Sequence, residues 1–333
     1  MGVSVVSMPI VYSTHPLHPN AAKLLHGAAE LVVASDLKAD TLAREAEGAD
    51  IVIVRANLPE SLFAGAKKLK AAIRHGAGLD MIPVEAATEA GVLVANVPGV
   101  NARSVAEHVI FVALALARRF RAIDTDLRQK GWLAGRAHSL AARELQGATM
   151  GIIGMGHLGR AIANIAGPGF GMQLLGSTRR NAGFPEGVEP VARDELLRRS
   201  DYVVLACPLS PETRGMIAAR ELALMRKGSF LINVARGAVT NEVDVVAALE
   251  SGHLGGAAID VFAEQPLPPD HAFFSLDNVI LTPHLAGITE ESMERMGIGA
   301  VEETLRVLKG DLPVNLVNSS VVAHYRRRFS EPS

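Results

Sequence analysis

The sequence predicts an α/β protein of two domains, each built on a parallel sheet with helices on both faces. Three observations carry this. Short, wholly apolar runs recur along the 333 residues with helix-forming stretches between them. The alternation occurs twice, before and after a long apolar helix. A Gly-x-Gly-x-x-Gly run follows one apolar run near the middle of the chain. Strands that are apolar on both sides are buried on both sides, the condition of a covered parallel sheet. The length allows two domains with cores of their own. A hydrophobic content of 49% excludes a disordered chain, because burial then offsets the entropy of ordering.

In the first series, strands are expected at 9–13, 30–34, 50–54, 70–74 and 92–96, with Ala/Leu/Glu-rich segments between them. A long helix follows. Ser104 with Glu107 three residues on reads as a capping box, and the helix is expected to continue to Gly131. Its first half is too apolar for a free surface. The second series places strands within 148–156, 172–178, 202–208, 228–235, 255–262 and 278–284. A last helix runs from beyond His284 to about Leu308.

Composition excludes several classes. A net charge of −2 argues against a nucleic-acid or membrane-surface binder, and the arginines at 326–328 read as a solvated tail. The one cysteine, Cys207, allows no intrachain disulfide and suits a reducing compartment. The N-terminal stretch lacks the pattern of a signal peptide or a myristoylation site. The run VIFVALALA, at 109–117, is too short to span a bilayer. The expectation is a soluble, cytoplasmic protein with no metal.

The glycine run is Gly154-Met155-Gly156-His157-Leu158-Gly159. It follows an apolar strand and opens a helix, the context in which such a run binds a dinucleotide. The first glycine makes the turn, the second admits a pyrophosphate, and the third lets helix and strand pack closely. The helix N-terminus adds N–H groups and partial positive charge. At the end of the next strand an NAD site expects an acid for the ribose 2′-hydroxyl. Thr178, Arg179 and Arg180 stand there instead. A hydroxyl and guanidinium groups favour a 2′-phosphate, so NADP(H) is preferred, with NAD(H) as the alternative.

A nicotinamide enzyme acting on a carbonyl needs a cation for the substrate's anion and a proton donor. Arg236, in INVARGAV, and His284, in VILTPHLAG, both follow apolar strands, where ligands of open parallel sheets bind. Histidine titrates near neutrality, which suits proton exchange. In the first domain the backbone N–H groups of His75, Gly76, Ala77 and Gly78 could cup a carboxylate, though the stretch also reads as an ordinary turn.

Taken in order, GIIGMGHLGR, CPLSPETRGMI, INVARG, AIDVFAEQPLP and LTPHLAG resemble the D-isomer-specific 2-hydroxyacid dehydrogenases. The resemblance is specific over 73–287. It implies a flavodoxin-like substrate domain of 1–102 and 288–333, an inserted Rossmann coenzyme domain of 103–287, a cleft between them, and a homodimer through the helix from Ser104. Arg236 is similar to the family's substrate-anchoring arginine and His284 to its acid/base. Ala77 and Gly78 resemble turn residues that touch substrate or coenzyme. Cys207, Pro208 and Thr213 resemble positions lining the coenzyme, Val234, Ala235 and Asp260 neighbours of the nicotinamide, and Ala286 and Gly287 the last coenzyme contacts. Two positions depart from the pattern: Thr178 replaces the ribose-binding acid, and Gln265 replaces the glutamate that normally bonds the histidine. The resemblance therefore implies an NADPH-preferring reductase of a 2-ketoacid, glyoxylate, hydroxypyruvate or larger. The alternatives are a phosphoglycerate-type or formate-like dehydrogenase, or a non-catalytic coenzyme sensor.

Overall fold

The computed structural model describes residues 8–65, 67–179 and 183–329. The chain forms two compact units, one of Met1–Asn101 with Thr289–Ser333 and one of Ala102–Ile288.

The first unit holds a five-stranded sheet of β1 (Ile10–Ser13), β2 (Glu30–Val33), β3 (Ile51–Val54), β4 (Ala71–Arg74) and β5 (Leu93–Ala95). The order is β2-β1-β3-β4-β5 and every pairing is parallel. This is the flavodoxin-like order. Side chains alternate between two cores. Ile51 and Ile53 enter one with Ala300 and Val301 of the helix Glu290–Leu308, while Val52 and Val54 enter the other with Leu62 and Phe63. Each of these buried branched side chains contributes about 2 kcal/mol. The returning C-terminal segment closes the free edge of β5. Leu316 bridges Ala95, and buried Asn318 accepts from Val94 N–H (2.8 Å) and donates to the Val92 carbonyl (3.0 Å) and Thr88 Oγ1 (2.8 Å).

The second unit holds β6 (Thr149–Ile153), β7 (Gln173–Ser177), β8 (Val188–Pro190), β9 (Tyr202–Leu205), β10 (Ser229–Asn233), β11 (Leu254–Ile259) and β12 (Val279–Leu281). The order is β12-β11-β10-β9-β6-β7-β8, all parallel. Numbered within the unit this is 3-2-1-4-5-6 with one further strand, the Rossmann order, whose switch point lies between β6 and β9. One face packs on the helices Ala102–Ala117 and His157–Phe170, the other on Arg193–Arg199 and Glu242–Glu250.

The α/β class with covered parallel sheets is what the apolar alternation predicted. Three local expectations need correction. β8 was missed because a three-residue edge strand carries no apolar run. The capping box is absent: the helix begins at Ala102, Ser104 is buried inside it, and Glu107 pairs with Arg103 (2.6 Å). The helix is also not continuous to Gly131. It ends at Ala117, Arg119 takes a left-handed φ of 54°, and a second helix, Phe120–Lys130, starts with no residue buried. An arginine supplied the reversal that glycine usually signals. Among the described residues no helix is long and apolar enough to cross a membrane, and no cluster of His, Cys or acidic side chains could hold a metal ion.

Asn318 ties two distant parts of the first unit together. Asn318→Ala leaves buried Val94 N–H and Val92 C=O without this partner, so a loss of about 3 kcal/mol is expected. The check is a lower urea midpoint at unchanged slope.

Candidate active site

The glycine run shows what each position requires. Gly154 has φ 107°, and a Cβ there would lie 2.7 Å from the Ala206–Cys207 backbone. A Cβ on Gly159 would lie 2.0 Å from the Gly154 carbonyl oxygen, so the helix His157–Phe170 sits directly on the turn. Gly156 is the N-cap, and its missing Cβ faces open space. The turn is therefore tight where the chain packs on itself and open where the helix N-terminus points out, through His157 and Leu158. These residues fit a pyrophosphate.

Thr178 and Arg179 follow the end of β7, and Ser177 accepts from Gly154 N–H (2.8 Å), which holds them beside the turn. Arg180 lies outside the described residues. Arg179 is exposed and paired with Glu212 (3.0 Å). The sequence stretch contains no acid, but the fold brings one from another loop. Thr213 laces that loop: its hydroxyl donates to the Pro208 carbonyl (2.8 Å) and accepts from Ser210 N–H (2.7 Å). Cys207 is buried in the core on this face of the sheet, and burial pushes its thiol up.

Arg236 stands on a turn built by Asn233, fully buried at the end of β10. Asn233 accepts from Ala235 N–H (3.0 Å) and donates to the Arg236 carbonyl (3.1 Å). Val234 and Ala235 are buried between them. Asn233 escaped the sequence reading, although a polar residue closing an apolar strand just before an arginine was its signal. A Cβ on the next residue, Gly237, would lie 1.9 Å from the Phe262 carbonyl carbon. The Arg236 turn and the loop carrying Gln265 are thus in backbone contact.

Asp260, at the end of β11 and 3% exposed, is committed within the protein. Its carboxylate accepts from Thr282 Oγ1 (2.6 Å), Leu285 N–H (2.9 Å) and Ala286 N–H (3.1 Å). His108 Nε2 lies 3.4 Å from Thr282 Oγ1. Burial holds this imidazole below its usual pKa, with Asp260 opposing. Asp260 so fixes residues 282–286, in which His284 adopts φ 54° and donates its backbone N–H to the Asp260 carbonyl (2.8 Å). Gly287 follows Ala286 at the end of this loop.

His284 Nδ1 lies 2.9 Å from Gln265 Oε1. The Gln265 Nε2 donates to the Phe262 carbonyl (3.2 Å), which assigns the amide orientation. An amide oxygen only accepts, so in this pair Nδ1 carries the proton. Glu264 is exposed.

In the first unit, the turn after β4 differs from expectation. His75 N–H and Gly76 N–H are taken by the carbonyls of Val54 (3.1 Å) and Arg74 (2.9 Å), leaving Ala77 and Gly78 as N–H donors. The reason is that the strand ladder extends one residue past β4 and Gly76 turns at φ 134°. Arg74 braces the turn through the carbonyls of Gly78 (2.9 Å) and His75 (2.7 Å). The His75 ring is buried and desolvation lowers its pKa to about 4, so it is a neutral wall residue.

Known proteins are similar to this chain in sequence and in fold. Residues 110–286, nearly the whole second unit, match the family model described as D-isomer specific 2-hydroxyacid dehydrogenase, NAD binding domain. The chain is 37% identical, over 92% of its length, to a D-3-phosphoglycerate dehydrogenase of Methanocaldococcus jannaschii, of which it spans only 58%. It is 35% identical to a glyoxylate reductase of Aeropyrum pernix over 94% of this chain and 97% of that one. The NADPH-dependent glyoxylate/hydroxypyruvate reductase of Sinorhizobium meliloti superposes with a TM-score of 0.82 at 26% identity, covering 94% and 98%. The family model matches more than half of the chain and the Aeropyrum pernix relative matches it over almost its full length, so the chain belongs to the D-isomer specific 2-hydroxyacid dehydrogenases, a family of NAD(P)-dependent oxidoreductases.

Proposed function

We propose that the chain reduces a 2-ketoacid to a D-2-hydroxyacid with NADPH. The observation that carries this is the hydrogen bond from His284 Nδ1 to Gln265 (2.9 Å), which fixes the ring's tautomer and makes Nε2 the nitrogen that exchanges the proton. Arg236 holds the substrate carboxylate as a charged, two-pronged donor. His284, as imidazolium, gives its Nε2 proton to the carbonyl oxygen while the carbonyl carbon is reduced, and becomes neutral. Reduced nicotinamide supplies the hydride when bound. Gln265 keeps the ring oriented in both states. Its amide accepts the Nδ1–H bond without adding a negative charge, so imidazolium is less stabilised than beside a glutamate.

NADPH preference rests on Thr178 and Arg179 in place of an acid. The Arg179–Glu212 pair is exposed on both sides, so water and salt screen it and it holds the arginine only weakly. A 2′-phosphate, with more charge, displaces Glu212. The reductase named for Sinorhizobium meliloti is NADPH-dependent, which supports the reading.

One observation favours the phosphoglycerate-type alternative. Arg55, just past the end of β3, is half-buried, and its guanidinium donates to the Pro16 carbonyl (3.2 Å) and Met293 Sδ (3.8 Å), with no carboxylate partner among the described residues. Burial lowers its pKa. A desolvated guanidinium of this kind suits a substrate with a second anionic group. We further assign the exposed apolar side chains Phe120, Leu127, Trp132, Leu133 and Leu140 to a homodimer interface, and the single buried cysteine to a cytoplasmic setting.

Three outcomes are expected. NADPH binds more tightly than NADH; Arg179→Ala erases the difference and Glu212→Gln widens it. Equal affinities in coenzyme titration would sink the preference. Gln265→Glu adds the missing charge and raises the histidine pKa. Because the protonated ring is the active form in reduction, activity then persists to higher pH, and the basic limb of the kcat profile moves up. Trp132→Asp with Leu140→Asp gives a monomer in sedimentation, where the unaltered chain gives a dimer. A panel of glyoxylate, hydroxypyruvate, larger ketoacids and 3-phosphohydroxypyruvate, with formate in the oxidative direction, decides the substrate. No turnover with any of them favours a coenzyme sensor.

A further inference from the structure

The peptide joining Phe262 to Ala263 connects two side chains. Its carbonyl accepts from Gln265 Nε2 (3.2 Å), and its N–H donates to Glu242 Oε1 (2.7 Å). N–H and C=O of one trans peptide point in opposite directions in a common plane, so fixing one aims the other. Gly237 lies against the same peptide and has no Cβ to push it away. Glu242 is itself well fixed. It is the first residue of the helix Glu242–Glu250, whose N-cap is Asn241, and its side chain is only 15% exposed. Its other oxygen lies 3.5 Å from His271 Nε2. His271 Nδ1 accepts from Phe273 N–H (3.2 Å), so in the neutral ring the Nε2 proton faces Glu242.

We propose that Glu242 is a positioning residue for the acid/base: it holds the 262–263 peptide, the peptide orients the Gln265 amide, and the amide sets the tautomer of His284. The inference rests on the acid/base role proposed above for His284. Were the peptide to turn over, its N–H would face the Gln265 amide. The amide would then rotate and present its NH₂ to Nδ1, so that the proton would have to sit on Nε2 in the neutral ring. The acceptor at Glu242 prevents this. The chain of bonds also polarises along its length, so the carboxylate raises the acceptor strength of Gln265 Oε1. Some of the negative character that glutamate at position 265 would provide is thereby supplied from one peptide away. A helix-dipole role alone requires only an acid in the first turn, with no bond to the facing loop.

The test is ¹⁵N-histidine NMR on the full chain, with the His284 signals assigned by substitution and kcat measured beside it. In the unaltered protein, neutral His284 carries its proton on Nδ1. Glu242→Ala shifts it toward the Nε2–H form and lowers kcat about tenfold, with coenzyme affinity unchanged. Glu242→Gln, which keeps the acceptor and loses the dipole effect, restores the tautomer and most of kcat. In a Gln265→Ala background Glu242→Ala has no further effect on either readout. An unchanged tautomer in Glu242→Ala overturns the proposal, as does an equal loss of kcat in both backgrounds. If Glu242→Ala does not fold, Glu242→Asp, one methylene short of the Ala263 N–H, is judged by the same criteria. A chain with no turnover refutes the proposed function, while the tautomer still decides the role of Glu242.

Discussion

The site depends on one buried carboxylate. Asp260 accepts from the Thr282 hydroxyl and from the backbone N–H groups of Leu285 and Ala286. Between these anchors His284 takes a left-handed backbone conformation, which costs a non-glycine residue about 1–2 kcal/mol. Charge-assisted hydrogen bonds contribute about 1.5–3 kcal/mol each, so the three together hold the histidine where its ring meets Gln265. Without this anchor nothing in the sequence LTPHLAG would favour that geometry.

The exchange of glutamate for glutamine beside the histidine divides two roles that one residue usually fills. Orientation survives, because the Phe262 carbonyl fixes which end of the amide faces the ring. Charge does not survive locally. The nearest acid in the bonded chain is Glu242, reached through the Ala263 N–H. A neutral partner destabilises imidazolium relative to a charged one, which lowers the pH range in which the ring can donate a proton. The coenzyme side shows a related division. Arg179 lacks an acid in its own strand end but gains Glu212 from the loop that Thr213 laces.

Much of the fold was legible because its signals are local. A strand buried on both faces must be apolar throughout, so Ile51–Val54 and Tyr202–Leu205 stand out. The glycine turn was legible because two close backbone approaches, at Gly154 and Gly159, and an open helix N-terminus at Gly156 fall within six residues. Arg236 and His284 were legible as polar residues closing apolar strands. Other features had no such signature. β8 is too short and lies at an edge, the reversal at Arg119 uses neither glycine nor proline, and the spent N–H groups of His75 and Gly76 depend on how far a neighbouring ladder extends.

By itself the sequence determined the alternation of strands and helices, the dinucleotide turn, and the identity of the groups able to carry a proton or hold an anion. These follow from side-chain chemistry and from periodicities of a few residues. Only the tertiary structure decided which groups meet. Asp260, Gln265 and His284 are spread over twenty-five positions and two strand ends, and Glu242 lies on another element. Their hydrogen bonds form because β10, β11 and β12 lie side by side in register, a non-local arrangement that no stretch of the chain encodes alone.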